Sequence, residues 1–317
     1  MVPSLQQEYR KGLENGYIKS TTSKRARTWT KRPVWLEDDR YDNEHSEIFD
    51  EESSDRAFEE EVMLAGFSTA PSKSEGGAIS FDDAQETFTA RYSHETIALA
   101  FSITEEAIED NLYDRLAGRY TKALARSMAQ TKQIKAAAIL NNAFTAGSSA
   151  GGDGVSLLSS SHPTINGTQS NLLTVAADLN ETSLEQALID IAGFQDERGL
   201  KIAVRGMKLI IPKELQFVAE RVLNSNLRVG TADNDPNAIK NMGMVPEGAV
   251  VNHFLTDTDA FFIKTDAPNG LKHFNRAAIK TAMEGDFDTG NMRFKARERY
   301  SFGFSDWRCL FGTPGAA

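Results

Sequence analysis

A chain of 317 residues, 40% hydrophobic and 25% charged, holds enough apolar material for one large or two ordinary domains, which excludes wholesale disorder. Its single cysteine, Cys309, excludes an intramolecular disulfide and a cysteine-based zinc site and points to a reducing compartment. No run approaches the roughly 18 apolar residues of a bilayer span, and the first residues lack the apolar centre of a secretory signal, so the expectation is a soluble, cytoplasmic chain without a membrane partner.

The net charge of -10 is a local feature. Residues 37–61 carry 13 acidic side chains against Arg40 and Arg56, which leaves the rest of the chain near neutral. Ahead of that block, residues 8–32 carry eight Lys or Arg against Glu8 and Glu14. Blocks of this kind are solvated or partner-seeking arms. Trp29, Trp35, Phe49 and Phe58 favour an arm laid across another subunit, because disordered arms are poor in aromatics.

From Phe58 the pattern is extended, with Phe58, Val62 and Leu64 on one face and Glu59 and Glu61 on the other. The stretch GFSTAPSKSEGGA is a turn-rich tip, after which Phe88, Ala90 and Tyr92 alternate with Thr87, Thr89 and Arg91. This predicts a long hairpin. Ile97, Leu99, Phe101 and Ile103 then keep period two as a half-buried strand. The period changes at Ser102-x-x-Glu105, which fits a capping box, and a helix is predicted from about Thr104 to Phe144 on Leu112, Leu116, Tyr120, Leu124 and Met128. Such a helix is roughly 60 Å long, a structural spine more than a coiled coil, since its apolar stripe drifts.

A Gly/Ser-rich connector follows over residues 145–171, with Asn166-Gly167 as its turn. Thr182 to Glu185 caps a helix ended by Gly199, Met207 to Ile211 is a buried strand, and Pro212 opens a helix holding Leu215, Val218, Ala219 and Val222. Residues 226–248 are expected to be a loop. Strands are predicted at Ala249 to Leu255, Ala260 to Lys264 and Ala277 to Met283. The last strand sets Met292, Phe294, Ala296, Tyr300, Phe302 and Phe304 on one face and Arg293, Lys295, Arg297 and Arg299 on the other.

Motifs for chemistry lack their contexts. Gly147-Ser148-Ser149-Ala150-Gly151 matches a nucleophile elbow, but that turn needs a strand before Ser149 and a helix after it; here a helix precedes and a loop follows. His162 reads as a histidine in a turn set by Pro163. The five histidines show no metal-ligand spacing, and Asp233, Asp235 and Asn237 begin a calcium loop that fails at Ala238 and Met244. No phosphate-cradling glycine motif occurs. The expectation is no enzyme, no cofactor and no metal.

The order of these elements resembles the major capsid protein of tailed bacteriophages, the HK97-like fold, over essentially the whole chain. EEEVMLAGFSTAPSKSEGGAISFDDAQETFTARYSHETIALAFSITEEAIEDNLY looks like that family's E-loop running into its spine helix. LLSSSHPTINGTQSNLL looks like the connector to the axial domain, MKLIIPKELQFVAERVLNS like its strand and helix, and RERYSFGFSDWRCLFGT like the closing strands of the peripheral domain. The resemblance implies an α+β capsid fold with an N-terminal arm at 1–55, an E-loop at 56–96, a peripheral domain at 97–146 and 271–317, and an axial domain at 147–270. It implies self-assembly as hexamers and pentamers into an icosahedral shell around double-stranded DNA contacted non-specifically, assembled in the host cytoplasm with a separate scaffolding protein and a portal. Alternatives are an encapsulin-like nanocompartment shell and a serine hydrolase using Ser149.

The same resemblance places inter-subunit contacts at Glu59, Glu61, Phe67, Lys73, Arg293, Lys295, Arg297 and Arg299. The acidic block is expected to meet a neighbour's basic stripe. Lys73 sits where some relatives crosslink, although a solvated lysine is the preferred reading. Family members expand from a smaller precursor, and Gly118 inside the long helix is the expected hinge, with close packing by a neighbouring chain as the alternative. Physics agrees on assembly, since a projecting hairpin leaves edges and faces that a monomer cannot cover.

Overall fold

Residues 206–211, GMKLII, build a strand whose only polar side chain is Lys208, a composition that requires cover on both sides. The structure, a computed structural model, describes residues 43–110, 114–145, 151–228 and 235–316, with side chains of the long helix from residue 118 onward. In chain order its strands are β1 Asp50–Ser53, β2 Phe58–Ala65, β3 Gln85–Ser93, β4 Glu95–Ile103, β5 His162–Thr164, β6 Gly167–Gln169, β7 Gly206–Ile211, β8 Ala249–Val251, β9 Phe261–Thr265, β10 Leu271–Gly285, β11 Met292–Phe304 and β12 Leu310–Thr313. Its α-helices are α1 Glu105–Glu109, α2 Asp114–Asn141, α3 Glu181–Ala192, α4 Gln216–Asn224 and α5 Ala238–Asn241. They divide into one unit of Thr96–Thr131 and Ala277–Glu298, and a second of Asn43–Glu95, Lys132–Arg276 and Arg299–Ala317.

In the second unit a sheet of order β12-β9-β7-β8 has both faces buried. Leu209 and Ile211 of β7, Phe261 and Ile263 of β9 and Phe311 of β12 point to one core, while Ile210, Phe262 and Leu310 point to the other. Period two thus feeds two cores from one sheet. The first core is closed by α3, whose Leu184, Ala187, Leu188 and Ile191 follow the i, i+3, i+4, i+7 spacing, and by Ala219, Val222 and Leu223 of α4. The second is closed by Ala136 and Leu140 of α2, by Leu157 and Leu158, and by Ile48 and Phe49.

In the first unit β10, β11 and β4 lie side by side in that order. Leu124, Ala125 and Met128 of α2 pack on Ala296 together with Ile97, Phe101 and Ile279. A second cluster joins Ile103, Ala107 and Phe294, and Phe101 stacks on Phe294 at 4.9 Å between ring centroids. This unit is a helix on one sheet face.

Several expected boundaries are corrected. The spine is two helices, because Glu109 and Asp110 crowd the C-terminal end of α1, where the helix dipole favours cations. The long part, α2, has 28 residues and is about 42 Å long. Ser102 belongs to β4 and caps nothing; the N-cap of α1 is Thr104, in extended conformation. The box opening α3 is Asn180 with Ser183, two residues ahead of the expected one: the Ser183 N–H donates to Asn180 Oδ1 at 2.8 Å and Asn180 N–H to Ser183 Oγ at 3.0 Å. That helix ends at Gly193, and Gly199 serves a turn at φ +84°. The segment expected as a loop at 226–248 contains α5, capped by Asn237, the residue that had resembled a calcium ligand. The strand from Ala249 stops at Val251, and the connector contains the β5–β6 hairpin, turned at Ile165-Asn166, one residue ahead of the expected Asn166-Gly167.

Candidate functional site

The hairpin at 58–93 pairs β2 with β3, setting Phe58 against Ser93, Glu60 against Arg91 and Val62 against Thr89. The strand alternates as expected, with its acidic face turned inward. Glu59, Glu61, Met63 and Ala65 are the more buried positions, while Phe58, Val62 and Leu64 are exposed. Two polar clusters account for this inversion. Glu61 accepts from Lys272 Nζ and from Ser305 Oγ, and Lys272 also pairs with Glu52 at 3.0 Å. Glu59 accepts from Ser54 Oγ at 2.7 Å, and the same hydroxyl lies 2.9 Å from His94 Nε2, whose Nδ1 reaches Ser301 Oγ at 3.0 Å. Burial, followed by the charge of Arg299, lowers His94 below the usual histidine range.

The described part of the acidic block therefore docks on its own chain. Glu44 holds His253 at 2.7 Å, Asp50 holds Lys264 at 2.9 Å, and β1 runs parallel to β10 with Asp50 opposite Lys272. Within one subunit Glu59 and Glu61, expected at a neighbour's basic stripe, are engaged by Ser54, and by Lys272 and Ser305, of their own chain. Residues 1–42, with Trp29 and Trp35, lie outside the described residues.

Beyond β2 the chain turns through an irregular segment pinned at its neck. The Ser68 N–H donates to Asp82 Oδ2 at 2.7 Å, holding that carboxyl below the usual range, and Arg198 Nη2 donates to the Asp83 carbonyl at 2.6 Å. Phe67, just ahead of this neck, is 59% exposed, and beyond it Ile79 is 70% and Phe81 96% exposed; Lys73 is exposed too. With Val62 and Leu64, five large apolar side chains of this one hairpin are left exposed.

On β11 the alternation holds. Arg293, Lys295 and Arg297 are exposed while Phe294, Ala296 and Glu298 are buried. Arg293 pairs with Asp286 of the adjoining turn at 2.5 Å. Arg299 is half-buried and its Nε has no hydrogen-bond partner among the described residues. Gly118 lies inside α2, and a Cβ built on it meets nothing within 4 Å, so no close contact among the described residues requires glycine there.

His162 is not the turn residue expected from Pro163; it opens β5 and is fully buried. Its Nδ1 lies 2.7 Å from Asp153 Oδ2 and its Nε2 3.1 Å from Asn171 Oδ1. Its ring stacks on Trp307 at 4.4 Å, and the Arg308 guanidinium covers that indole at 4.3 Å. With both nitrogens engaged, His162 is not available as a base. Ser149 lies outside the described residues. Arg308 in turn donates to Glu197 at 2.9 Å and to the Gln195 carbonyl at 2.7 Å. Sequence reasoning missed Lys272, Arg198 and Arg308, since isolated cations carry no local pattern.

A buried histidine pair joins the segment before β1 to β10: His45 and His273 meet edge-to-face at 5.3 Å, and His273 stacks on Phe302 at 4.4 Å. Lys132 and Tyr300 lie beside them, and Glu51 is 4.0 Å from His273 Nδ1. Burial, then the neighbouring His45 and Lys132, lowers His273 to about 3; burial and Lys132 lower His45. Both rings are neutral in the fold. The unfolded chain takes up these protons near pH 6.5, so between about 6.5 and 3 it binds more protons and stability falls as pH falls. The expected loss is on the order of 1.4 kcal/mol per pH unit for one such group. Thermal melts at pH 7, 5 and 4 check this: His273→Phe should show a shallower decline than the parent chain, and an equally steep one contradicts the assignment.

Among the described residues no helix is long and apolar enough to cross a membrane, and no cluster of His, Cys, Asp or Glu is placed to hold a metal ion. Burial pushes the Cys309 thiol up, which makes it unreactive.

A long hairpin, a spine helix against a sheet, and a separate two-faced α/β core are the architecture of HK97-like capsid subunits, and solved structures of that class share the fold. The capsid of a native GTA particle matches at TM-score 0.58 and 10% identity, covering 87% of this chain and 92% of that one. The capsid of the cyanophage P-SCSP1u matches at TM-score 0.55 and 12% identity, with 85% and 86% covered. A virus-like particle from Pyrococcus furiosus matches at TM-score 0.51 and 9% identity, with 88% and 95% covered. No curated protein sequence matches significantly. The phage capsid protein family model matches residues 86–312, and the chain belongs to that family as a capsid shell subunit.

Proposed function

We propose that this subunit closes into an icosahedral head shell of hexamers and pentamers around a double-stranded DNA genome, assembling in the host cytoplasm with a separate scaffolding protein and a portal, and that it has no catalytic role. The observation that carries the reading is the exposure of Val62, Leu64, Phe67, Ile79 and Phe81 on one hairpin, which folding leaves in water. Covering it needs a second copy, and a repeated head-to-tail contact closes into rings when its rotation permits. Phe67 and Lys73 on the hairpin, and Lys295, Arg297 and Arg299 with the paired Arg293 on β11, are the proposed contact residues. In this reading the chain divides into an arm at 1–55, the hairpin at 56–96, a peripheral domain at 97–146 and 271–317, and an axial domain at 147–270.

Sedimentation of the purified chain tests the assembly step. Closed particles are expected at about 0.1 M salt, with a lower yield at 1 M, where the Debye length drops from about 10 Å to 3 Å and exposed charge contacts weaken. A monomer at every salt and protein concentration contradicts it.

Precursor expansion rests on the same reading, with Gly118 as the point where α2 bends. Gly118→Ala should stabilise the unassembled chain by about 1 kcal/mol in urea denaturation, since glycine weakens a helix by that amount. It should also impede the change in particle diameter. Normal expansion in a stabilised variant removes the hinge role.

A further inference from the structure

Among the described residues of the first unit, two surfaces carry exposed cations. One is the sheet face away from α2, with Lys280, Lys295 and Arg297 exposed on it and Arg293 paired to Asp286. The other is the solvent side of α2, where Arg119, Lys122 and Arg126 are all exposed at i, i+3 and i+7. Those positions share one side of a helix and span about 10 Å, a single Debye length at moderate salt.

The helix is the more unusual surface. From 115 to 141 the chain has six Lys or Arg and no Asp or Glu. No acid stands four residues away to pair with these cations, and none of Arg119, Lys122 and Arg126 has an ion-pair partner among the described residues. Nor do they serve the helix. Its last turn, where the dipole rewards a cation, has none, and the three lie in the half nearer the N-terminus. Leu124, Ala125 and Met128 already bury the opposite side, so these charges contribute nothing to packing.

We propose that this side of α2 is the surface that docks the phosphate backbone of duplex DNA, through Arg119, Lys122 and Arg126. A row of unpaired cations without acids fits a polyanion, and phosphate contacts of this type are independent of base sequence. The inference rests on the shell reading for its biological setting, but DNA binding by the unassembled full-length chain is read separately from particle formation.

The test measures binding of a 30-base-pair mixed-sequence duplex by that chain across 50 to 200 mM salt. With Arg119, Lys122 and Arg126 all changed to Gln, the slope of log K against log salt should fall by about 2 to 3, because each phosphate contact contributes about 0.9. Changing Lys280, Lys295 and Arg297 to Gln should leave it within about 0.5. Unchanged melting temperatures establish that both variants fold, and Arg119→Lys with Arg126→Lys should keep the parental slope. An unaltered slope in the helix variant overturns the proposal, as does a loss confined to the sheet variant. So does a parent chain that ignores the duplex and binds polyglutamate, which would assign the surface to an acidic protein. Electron microscopy of the same preparations reports on the shell reading independently.

Discussion

Changing Val62, Leu64, Phe67 and Phe81 to Ser should abolish particle formation while leaving the folded subunit nearly as stable as before. All four side chains lie in water in the isolated fold, and surface substitutions of this kind stay within about 0.5 kcal/mol. Covered by a second copy, each would contribute about 1.5 to 3 kcal/mol of apolar burial. Losing all four raises the concentration needed for assembly by at least a thousandfold. Sedimentation and urea denaturation of the same variant separate the two quantities. Parental assembly would mean that the hairpin surface is not the contact, and a collapse in stability would mean that it packs within its own chain.

The largest expected effect on stability lies at Arg308. Its guanidinium sits on the Trp307 indole and donates to Glu197, and both charged side chains are at most 4% exposed. Burial pushes the Glu197 carboxyl up, and Arg308 works against that shift. Arg308→Met strands the carboxylate in the core, a change that typically costs 3 to 5 kcal/mol. The melting temperature should fall by about 10 °C in a chain of this size. Adding Glu197→Gln should recover part of the loss by removing the stranded charge. A decrease below about 1 kcal/mol would show that water reaches Glu197 when the arginine is gone.

What was legible in the sequence was what periodicity encodes. The alternation on β11, the buried run of β7 and the switch from period two to helical spacing after Ile103 each reflect neighbours on the same element, so local pattern sufficed. The order of those elements was enough to indicate the capsid fold. The intrachain partners of the acidic block were not legible for a different reason. Asp50, Glu52 and Glu61 find Lys264 and Lys272 about 210 residues away, and no local signal announces such partners. On β2 that long-range pairing also reverses the usual sense of an amphipathic strand. Ser102-x-x-Glu105 failed because β4 holds Ser102 in its ladder, and His162 because Asp153, Asn171 and Trp307 converge on it from three segments.

The central claim is that this chain closes a shell by covering one subunit's hairpin with a neighbour. A cryo-electron microscopy reconstruction of particles assembled from the purified chain tests it directly. The account predicts a closed icosahedral shell of hexamers and pentamers with density from an adjacent subunit over Val62, Leu64 and Phe67. Particles in which those side chains face solvent, or a chain that forms no particles at any concentration, would contradict it.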